Sequence, residues 1–404
     1  MRRLEIVHVA PYFSPAWAYG GIPRLAYELA REQGRMGHNV KIITTDALDS
    51  NHRHPESGAT LRLDGGALEA RYLRNISNKL AYFDQLFLPV GLSNALEELA
   101  GRAEIIHIHG HRHVLEIRAS KWAVEHDIPY VITANGTAPR IERREIIKAA
   151  LDLVMADGIL QRAAGCIAVA QAELPQYIGR GVKRERIRII PNGIDVKAFE
   201  NHQSRGAFRK TWNLKADPVV LYLGKITPRK GLKPLVAASN ILRRERPIQL
   251  VIAGNDMGYL DVVRAEVRRL KMSEMVTYTG LVEGREKIAA YVDADVTVYP
   301  SQHEIFGLVP FESILCGTPV VVSDDCGCGE IVAREQMGEV VRYGDIDGLA
   351  RAILRTLDNP ETGREPVERG RKFIRDSLDW SVVAAQTVSL YTEILDGSFP
   401  GKNV

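Results

Sequence analysis

The feature that most constrains the fold of this chain is the alternation of short apolar runs with helix-like patterns along its whole length. Leu4 to Ala10 forms such a run, and apolar residues then recur at helical spacing between Ile22 and Ala30. Val40 to Thr44 is the next run. This alternation is typical of βαβ units, in which crossover helices join parallel strands. The sequence therefore predicts an α/β protein with doubly wound parallel sheets.

The alternation occurs in two similar stretches, which predicts two domains. A turn signal at Pro191 to Asp195 closes the first stretch, and a fresh apolar run begins at Val219. We therefore predict domains over 1–195 and 196–379. An apolar stripe from Trp380 predicts a C-terminal helix over about 380–396. We assign no helix or strand to the polar region 49–66. The other predicted strands are Ile105–Ile108, Tyr130–Thr133, Cys166–Val169, Ile187–Ile190, Gln249–Ala253, Val276–Thr279, Val296–Tyr299 and Pro319–Val322.

Composition excludes several classes of protein. With 404 residues, 45% apolar and 25% charged, the chain has the proportions of a globular protein and not of a disordered one. A net charge of +3 gives no bulk excess of cations for nucleic acid binding. Four cysteines are too few for a disulfide framework and indicate a reducing compartment. The N-terminus does not resemble a signal peptide, and no apolar run reaches the ~18 residues of a membrane span. We therefore expect a cytoplasmic protein, at most peripheral to a membrane.

The most informative stretch runs from Ser301 to Glu312, between a predicted strand and a predicted helix. It places Glu304 in the loop and Glu312 inside the helix. The amides of Gly307, Leu308 and Val309 would be unpaired donors at the helix start, which suits a diphosphate. Ionised carboxylates accept hydrogen bonds from sugar hydroxyls. Alternatively, both glutamates are solvated surface acids.

Two further loops have the character of phosphate-binding elements. Lys225 and Lys230 lie five residues apart in a glycine-bounded loop that directly follows the strand Val219–Leu223, and both ammonium groups could bind one diphosphate. A solvated basic turn is the alternative. Gly20 and Gly21 precede the first helix and permit close approach of a phosphate or sugar. No Gly-x-Gly-x-x-Gly fingerprint follows the first strand, which disfavours a nicotinamide-dependent dehydrogenase.

In order and spacing together, these motifs resemble the family 4 retaining glycosyltransferases of GT-B fold, also described as glycosyl transferases group 1. The resemblance runs from Leu4 to about Ile394. It implies two facing Rossmann-like domains with a C-terminal helix that crosses back to the N-terminal domain. It also implies that the nucleotide-sugar donor binds mostly to 196–379 and the acceptor to 1–195.

The resemblance implies roles for individual residues. Lys225 and Lys230 would hold the diphosphate, although arginine is more usual at the position of Lys225. Glu312 would bind the nucleotide ribose, and Glu304 would contact hydroxyls of the transferred sugar. Gly21 would face the phosphates from the other domain. The implied catalytic set is Glu304, Lys225, Lys230 and Asn135, and the implied donor-binding set is Gly21, Lys225, Lys230, Glu304, Gly307, Leu308, Val309 and Glu312.

Asn135 is a departure from the family pattern, because many members have a histidine there. Asn135 keeps the backbone carbonyl that would face the anomeric carbon, and its side chain can still donate or accept a hydrogen bond. Imidazole acid–base chemistry at this position is lost. On the acceptor side, His109 and His111 are candidates for a base or an acceptor contact, with a structural role as the alternative for each.

Two acidic or sulfur-containing patterns could bind a metal, and we favour the structural interpretation of both. Asp293 and Asp295 match the metal-binding acid pair of another transferase fold, but they precede a predicted strand instead of ending one. Cys326 and Cys328 have no second pair or histidines at zinc-ligand spacing. The sequence thus predicts no metal and no other cofactor.

The predicted reaction is transfer of a hexosyl group from a UDP- or GDP-sugar to a glycan or lipid-linked acceptor, in cell-surface polysaccharide or glycolipid synthesis. Two alternatives stay open: a non-catalytic sugar-nucleotide-binding protein, supported only by Asn135, and a sugar-nucleotide epimerase. The apolar run from Tyr82 to Val90 indicates a lipid-linked acceptor, and nearby basic residues could contact the anionic headgroups of a membrane; core packing and a solvated face are the alternatives. The basic residues considered with that run are Arg140, Arg143, Arg144 and those between Arg180 and Arg188.

Overall fold

The structure is a computed structural model, and it describes residues 2–136, 157–200, 205–215, 217–359 and 363–400. The chain divides into two compact units, Met1–Gly193 with Trp380–Val404, and Ile194–Asp379. The two units divide after Gly193, whereas the sequence predicted a boundary after Asp195. The chain therefore leaves the first unit once and returns to it for its last helix.

The first unit is built on one sheet. Its strands are β1 (Glu5–Val9), β2 (Asn39–Thr45), β3 (Thr60–Leu63), β4 (Leu68–Leu73), β5 (Ile105–His109), β6 (Tyr130–Thr133), β7 (Gly165–Ala168) and β8 (Ile187–Ile189). They lie in the order β3-β4-β2-β1-β5-β6-β7-β8, and only the edge strand β3 runs antiparallel to its neighbour. The helices described between them are α1 (Ile22–Arg35), α2 (Asn78–Asp84), α3 (Leu92–Glu97), α4 (Val114–Glu125), α5 (Asp157–Arg162) and α6 (Leu174–Ile178).

The second unit is built on a parallel sheet. Its strands are β9 (Val219–Leu223), β10 (Gln249–Ala253), β11 (Val276–Gly280), β12 (Val296–Tyr299), β13 (Val320–Ser323) and β14 (Glu339–Val341), in the order β11-β10-β9-β12-β13-β14. Every pairing is parallel. Its described helices are α7 (Lys197–Glu200), α8 (Ala207–Thr211), α9 (Leu232–Leu242), α10 (Leu260–Arg269), α11 (Gly284–Asp293), α12 (Val309–Leu315), α13 (Gly327–Arg334), α14 (Ile346–Asp358) and α15 (Arg364–Phe373).

The last helix, α16 (Trp380–Leu395), belongs to the first unit. A π-helical segment, Ile374–Leu378, precedes it. Its apolar stripe packs on Leu4, Ile6 and Ile105 of the sheet. Trp380 lies so close to Gly193 that a β-carbon there would stand 2.3 Å from the indole. The C-terminal helix predicted from the stripe is therefore present, and it completes the core of this unit.

The two parallel-sheet α/β units confirm the predicted fold class. The sequence could predict it because central strands that are buried on both faces require mostly apolar residues. The prediction missed β3, β4 and β14. β3 lies at an edge and alternates between exposed and half-buried residues, so its sequence resembles a polar loop. Among the residues that the structure describes, no helix is long and apolar enough to cross a membrane.

Candidate functional site

Lys230, Tyr299 and Glu304 form a polar cluster at the carboxyl ends of two neighbouring strands. Lys230 ends a short 3-10 turn that follows β9, Tyr299 is the last residue of β12, and Glu304 lies in the next loop. The Nζ of Lys230 donates to the Tyr299 hydroxyl at 2.8 Å and contacts Oε2 of Glu304. The Tyr299 hydroxyl donates to the same oxygen at 3.1 Å. A cation, a phenol and a carboxylate therefore meet at one point.

The cluster is only partly shielded from solvent. Side-chain exposure is 18% for Lys230 and 28% for Glu304, whereas Tyr299 is buried. Burial, and secondly the charge of Glu304, hold the pKa of Tyr299 well above its usual range, so the phenol remains a donor. The ammonium and the carboxylate are thus positioned by a rigid neighbour and remain accessible to a ligand.

Two glycines allow the loops after β9 and β12 to pack together. Gly231 has φ +67°, and a β-carbon there would stand 1.8 Å from the carbonyl oxygen of Pro300. Gly307 has φ +81°, and a β-carbon there would stand 2.9 Å from the Tyr299 ring. Only glycine combines this backbone conformation with this closeness. The approach at Gly231 is what brings Lys230 to Tyr299.

The loop that carries Glu304 is anchored by its backbone. The amide of Glu304 donates to the carbonyl of Asp325 at 3.3 Å, and the amide of Gly327 donates to the carbonyl of Glu304 at 2.9 Å. Cys326, between them, caps helix α13, because its sulfur accepts from the amide of Gly329 at 3.2 Å. The Cys326 and Cys328 sulfurs lie 3.2 Å apart and are buried. These residues support the loop, in agreement with the non-metal interpretation.

The helix predicted to begin after Gly307 is present, but it is short. Helix α12 has seven residues, and Pro310 in its first turn removes one amide donor. The amides of Gly307, Leu308 and Val309 have no acceptor among the described residues. They remain the donors that the prediction assigned to a diphosphate.

Glu312 lies in a second polar cluster, on helix α12. Its carboxylate accepts from Nζ of Lys287 and from the Tyr291 hydroxyl, both at 2.8 Å. Both partners come from helix α11. Burial, and secondly Glu312, hold the pKa of Tyr291 well above its usual range. The sequence analysis missed Tyr299, Tyr291 and Lys287. Tyr299 could have been found as the last residue of a predicted strand, whereas nothing in the sequence distinguishes Lys287.

Lys225 is not brought into the Lys230 cluster. It is exposed, and its ammonium has no hydrogen-bond or ion-pair partner in the described part of the chain. Its backbone is fixed, since the Tyr222 hydroxyl donates to its carbonyl at 2.8 Å. The role of Lys225 in binding a diphosphate stays a prediction.

Asp293 and Asp295 form ion pairs and backbone caps. Asp295 accepts from Arg205 at 2.5 Å and from Arg209 at 2.7 Å, and it also caps the amide of Val219 at 2.7 Å. Asp293 accepts from the amide of Arg209 at 2.9 Å. The oxygens of Asp295 stabilise the entry to β9 and those of Asp293 cap the start of α8, which agrees with the predicted structural role.

Of the residues predicted on the first unit, Gly21 is the N-cap of α1, with open space where a side chain would be. Asn135 follows β6 with φ +49°. Its turn is held by Glu173, whose carboxylate accepts from the amides of Gly136 at 2.8 Å and Val169 at 2.9 Å. Burial raises the pKa of Glu173 to about 7. Glu173 is a further residue that the sequence did not reveal.

Asn135 and His109 line the same cavity of about 30 Å³ within the first unit. That volume suits one water molecule, not a sugar. His111 is also buried. The burial of His109 and His111 fits the structural alternative, and their role toward an acceptor stays a prediction.

His109 belongs to a buried network that joins the sheet to the last helix. His8 Nδ1 and His109 Nε2 are 2.9 Å apart, and His8 Nε2 is 2.7 Å from Gln33 Oε1. His107 lies 2.5 Å from the Tyr391 hydroxyl of α16. The nitrogens of the three histidines lie within 4.8 Å of one another, close enough for a metal ion, but these hydrogen bonds already engage them.

This histidine network predicts acid instability of the first unit. Burial lowers the pKa of His8 to about 4 and those of His107 and His109 well below their usual range. In the unfolded chain these histidines bind protons near pH 6.5, whereas in the folded chain they stay neutral. The free energy of unfolding therefore falls as pH drops from about 6.5 to about 4. From His8 alone the loss is on the order of 3 kcal/mol. Urea unfolding across this pH range should show a smaller decline in His8→Gln than in the exposed-site control His52→Gln; equal declines would contradict the prediction.

Arg140, Arg143 and Arg144, considered in the sequence analysis for membrane contact, lie outside the described residues.

Two family models match the chain. Residues 19–198 match the model described as Glycosyltransferase Family 4, and residues 204–373 match the model described as Glycosyl transferases group 1. Together the two matches span both units, and they include every candidate site residue of the sequence analysis.

Individual proteins agree with these matches. The chain is 31% identical to a glycogen synthase of Mycobacterium tuberculosis over 56% of its own length and 52% of the relative's. It thus spans about half of that relative. It is 27% identical to a D-inositol 3-phosphate glycosyltransferase of Pseudarthrobacter chlorophenolicus over 98% of this chain and 96% of that one. The crystal structure of Anabaena HepE in complex with UDP has the same fold, with a TM-score of 0.74, 16% identity, and coverage of 96% of this chain and all of HepE.

Proposed function

The chain belongs to glycosyltransferase family 4, and from that membership and its site we propose that it transfers a hexosyl group from a UDP- or GDP-sugar to a glycan or lipid-linked acceptor, with retention at the anomeric carbon. The observation that carries the proposal is the cluster of Lys230, Tyr299 and Glu304. It combines a phosphate-binding cation with a hydroxyl-binding carboxylate at the carboxyl ends of parallel strands, where α/β sheets bind ligands.

Lys230 is the proposed diphosphate ligand. An ammonium group has three N–H donors, and two of them are engaged by Tyr299 and Glu304. The third is available to a phosphate oxygen. Because Tyr299 holds the ammonium in place, little side-chain entropy is lost when the diphosphate binds.

Glu304 is the proposed ligand for hydroxyls of the transferred sugar. A carboxylate accepts hydrogen bonds at both oxygens, and Oε2 of Glu304 already contacts the ammonium of Lys230 and the phenol of Tyr299. Glu312, held by Lys287 and Tyr291, would bind the ribose in the same manner. Lys225 and the amides of Gly307, Leu308 and Val309 complete the proposed donor site on the second unit, and the roles of Gly21 and Asn135 stay predictions.

In the proposed reaction the bond between the anomeric carbon and the diphosphate oxygen breaks, and a bond to the acceptor oxygen forms on the same face. The acceptor proton passes to the departing diphosphate. Lys225, Lys230 and the loop amides would stabilise the charge that develops on the leaving group. With this cationic charge in place the reaction needs no metal ion, which fits the structural use of Asp293 and Asp295.

One similar protein supports the kind of donor, and two others leave the acceptor open. HepE was crystallised with UDP, whereas the glycogen synthase and the D-inositol 3-phosphate glycosyltransferase are named for different acceptors. The UDP of HepE is therefore the feature that we carry over to this chain, as support for a nucleoside diphosphate sugar donor.

A thermal-shift screen with UDP, GDP, ADP and their common sugars tests the donor. A ligand present at 100 times its Kd stabilises the native state by about 2.7 kcal/mol, so one nucleotide should raise Tm clearly above the others. Transfer to a simple glycan, with and without a chelator, then tests the chemistry. Retained anomeric configuration and unchanged rate with chelator are expected. Nucleotide binding without turnover would instead favour the non-catalytic alternative, and a new sugar nucleotide formed without acceptor would favour the epimerase.

A further inference from the structure

Five large apolar side chains are exposed within a single 15-residue segment of the first unit. These residues, which we call the apolar patch, are Ile76 (64% exposed), Leu80 (39%), Phe83 (70%), Leu86 (39%) and Val90 (54%). Scattered apolar residues on a surface are ordinary, but a contiguous set marks an interaction site. The patch lies outside every residue assigned to the proposed reaction.

Backbone hydrogen bonds hold these exposed side chains in one compact segment. Residues 74–76 pair with 88–90 in an antiparallel arrangement, with Asn75 opposite Pro89. Asn75 and Pro89 are buried, so their neighbours Ile76 and Val90 point away from the core. On helix α2, Leu80 and Phe83 are three residues apart and share a face. The amide of Leu86 donates to the carbonyl of Leu80 at 3.1 Å, which ties the backbone after α2 to that helix.

Buried polar contacts fix the inner side of the segment. The Asn75 amide donates to Asp46 at 2.9 Å, and the Asn75 side chain accepts from the amide of Leu88 at 2.7 Å. The Asn78 side chain donates to the carbonyl of His52 at 2.7 Å. Phe87 is fully buried. The apolar patch is therefore the outer surface of an anchored segment, not the exposed side of a loose one.

Two cations lie among the apolar tips. Arg74 and Lys79 are exposed, and neither has an ion-pair partner in the described part of the chain. Asp84 is the acidic residue of the segment, and it already has a polar or charged partner. An anionic lipid surface satisfies both features at once, since it takes apolar tips into the acyl boundary and cations into the headgroups. A symmetric contact with a second copy would place the same cations opposite each other.

We propose that the apolar patch, with Arg74 and Lys79, docks the protein onto an anionic phospholipid surface. The docking does not depend on the proposed transfer reaction, because it can be measured without donor or acceptor. It assigns the membrane contact considered in the sequence analysis to residues 74–90, which the structure describes.

Flotation of the full chain with lipid vesicles tests the proposal. We expect binding to vesicles of phosphatidylcholine mixed with phosphatidylglycerol, and little binding to phosphatidylcholine alone. The L80S/F83S variant should lose at least tenfold of the bound fraction, because two large apolar side chains no longer insert. R74Q/K79Q should lose about tenfold on the anionic vesicles and respond little to lipid charge. The matched control V124S/I178S removes two exposed apolar residues elsewhere on the same unit and should bind like the parent.

A site-specific probe gives a second measurement. The native cysteines are all buried, so a fluorophore can be attached selectively to Phe83→Cys, or to Ile178→Cys as the control. Anionic vesicles should shift the emission of the probe at 83 to the blue and leave the probe at 178 unchanged. No vesicle binding by the parent, or equal binding by L80S/F83S, would overturn the proposal. Self-association that L80S/F83S abolishes, in the absence of vesicle binding, would assign the patch to a second copy instead.

Discussion

Replacement of Lys230 by alanine is expected to lower the rate of glycosyl transfer at saturating donor by about 10²–10³-fold, the usual effect of removing one preorganised electrostatic contact. The ammonium is held between Tyr299 and Glu304, so it is placed before the diphosphate arrives. Initial rates with saturating donor and acceptor measure the effect. Lys233→Ala is the matched control, because Lys233 is exposed in the following helix.

Lys230→Arg should recover part of the lost rate, since it keeps the charge and changes its geometry. A Lys230→Ala enzyme with full turnover at saturating donor would show that the diphosphate is bound elsewhere. A double-mutant cycle with Glu304→Gln would separate diphosphate binding by Lys230 from sugar binding by Glu304. Because the two side chains are in contact, their effects should not add.

Replacement of Gly231 by alanine is expected to destabilise the second unit by about 3 kcal/mol or more, from backbone strain and from overlap with a neighbouring carbonyl. Gly231 has φ +67°, and its β-carbon would stand 1.8 Å from the oxygen of Pro300. A loss of this size should lower the Tm of the unit by about 6–12 °C, which calorimetry measures. The transfer rate should fall as well, because relief of the overlap moves Lys230 from Tyr299.

Gly258→Ala is a control that introduces backbone strain without steric overlap. Gly258 has φ +87°, but no other group lies within 4 Å of the position of a β-carbon. Its replacement should cost only about 1 kcal/mol, the price of the left-handed conformation alone. Equal losses in the two variants would mean that the closeness of Gly231 to Pro300 has no energetic weight.

The elements that the sequence predicted best are the buried central strands. β9 and β12 are buried at every residue and mostly apolar, because both faces of a parallel sheet are covered. β3 and β14 are edge strands without a fully buried residue, so their sequences carry no comparable pattern. The same reasoning explains the candidate residues: Lys230 and Glu304 were found because they follow such strands.

The partners of those candidates could not be predicted. Lys287 and Tyr291 reach Glu312 from a different helix, and this depends on how helices α11 and α12 pack, not on spacing along the chain. Glu173 supports the turn at Gly136 from 37 residues further along the chain. Such contacts are set by tertiary packing, for which a single sequence carries no signal.

By itself the sequence determined the α/β class, the division into two units and the presence of a last helix. It could do so because a strand that is buried on both faces and a turn that contains glycine can each be recognised from a few consecutive residues. The return of the last helix to the first unit was implied by the family resemblance, and the loops proposed to bind the donor were chosen by their position after strands. Only the tertiary structure decided which residues meet: it brought Lys230 to Tyr299 and Glu304, left Lys225 apart, and placed His109 in the interior. Those outcomes depend on contacts between elements distant in sequence, whose side chains are fixed only once the sheets and helices are packed.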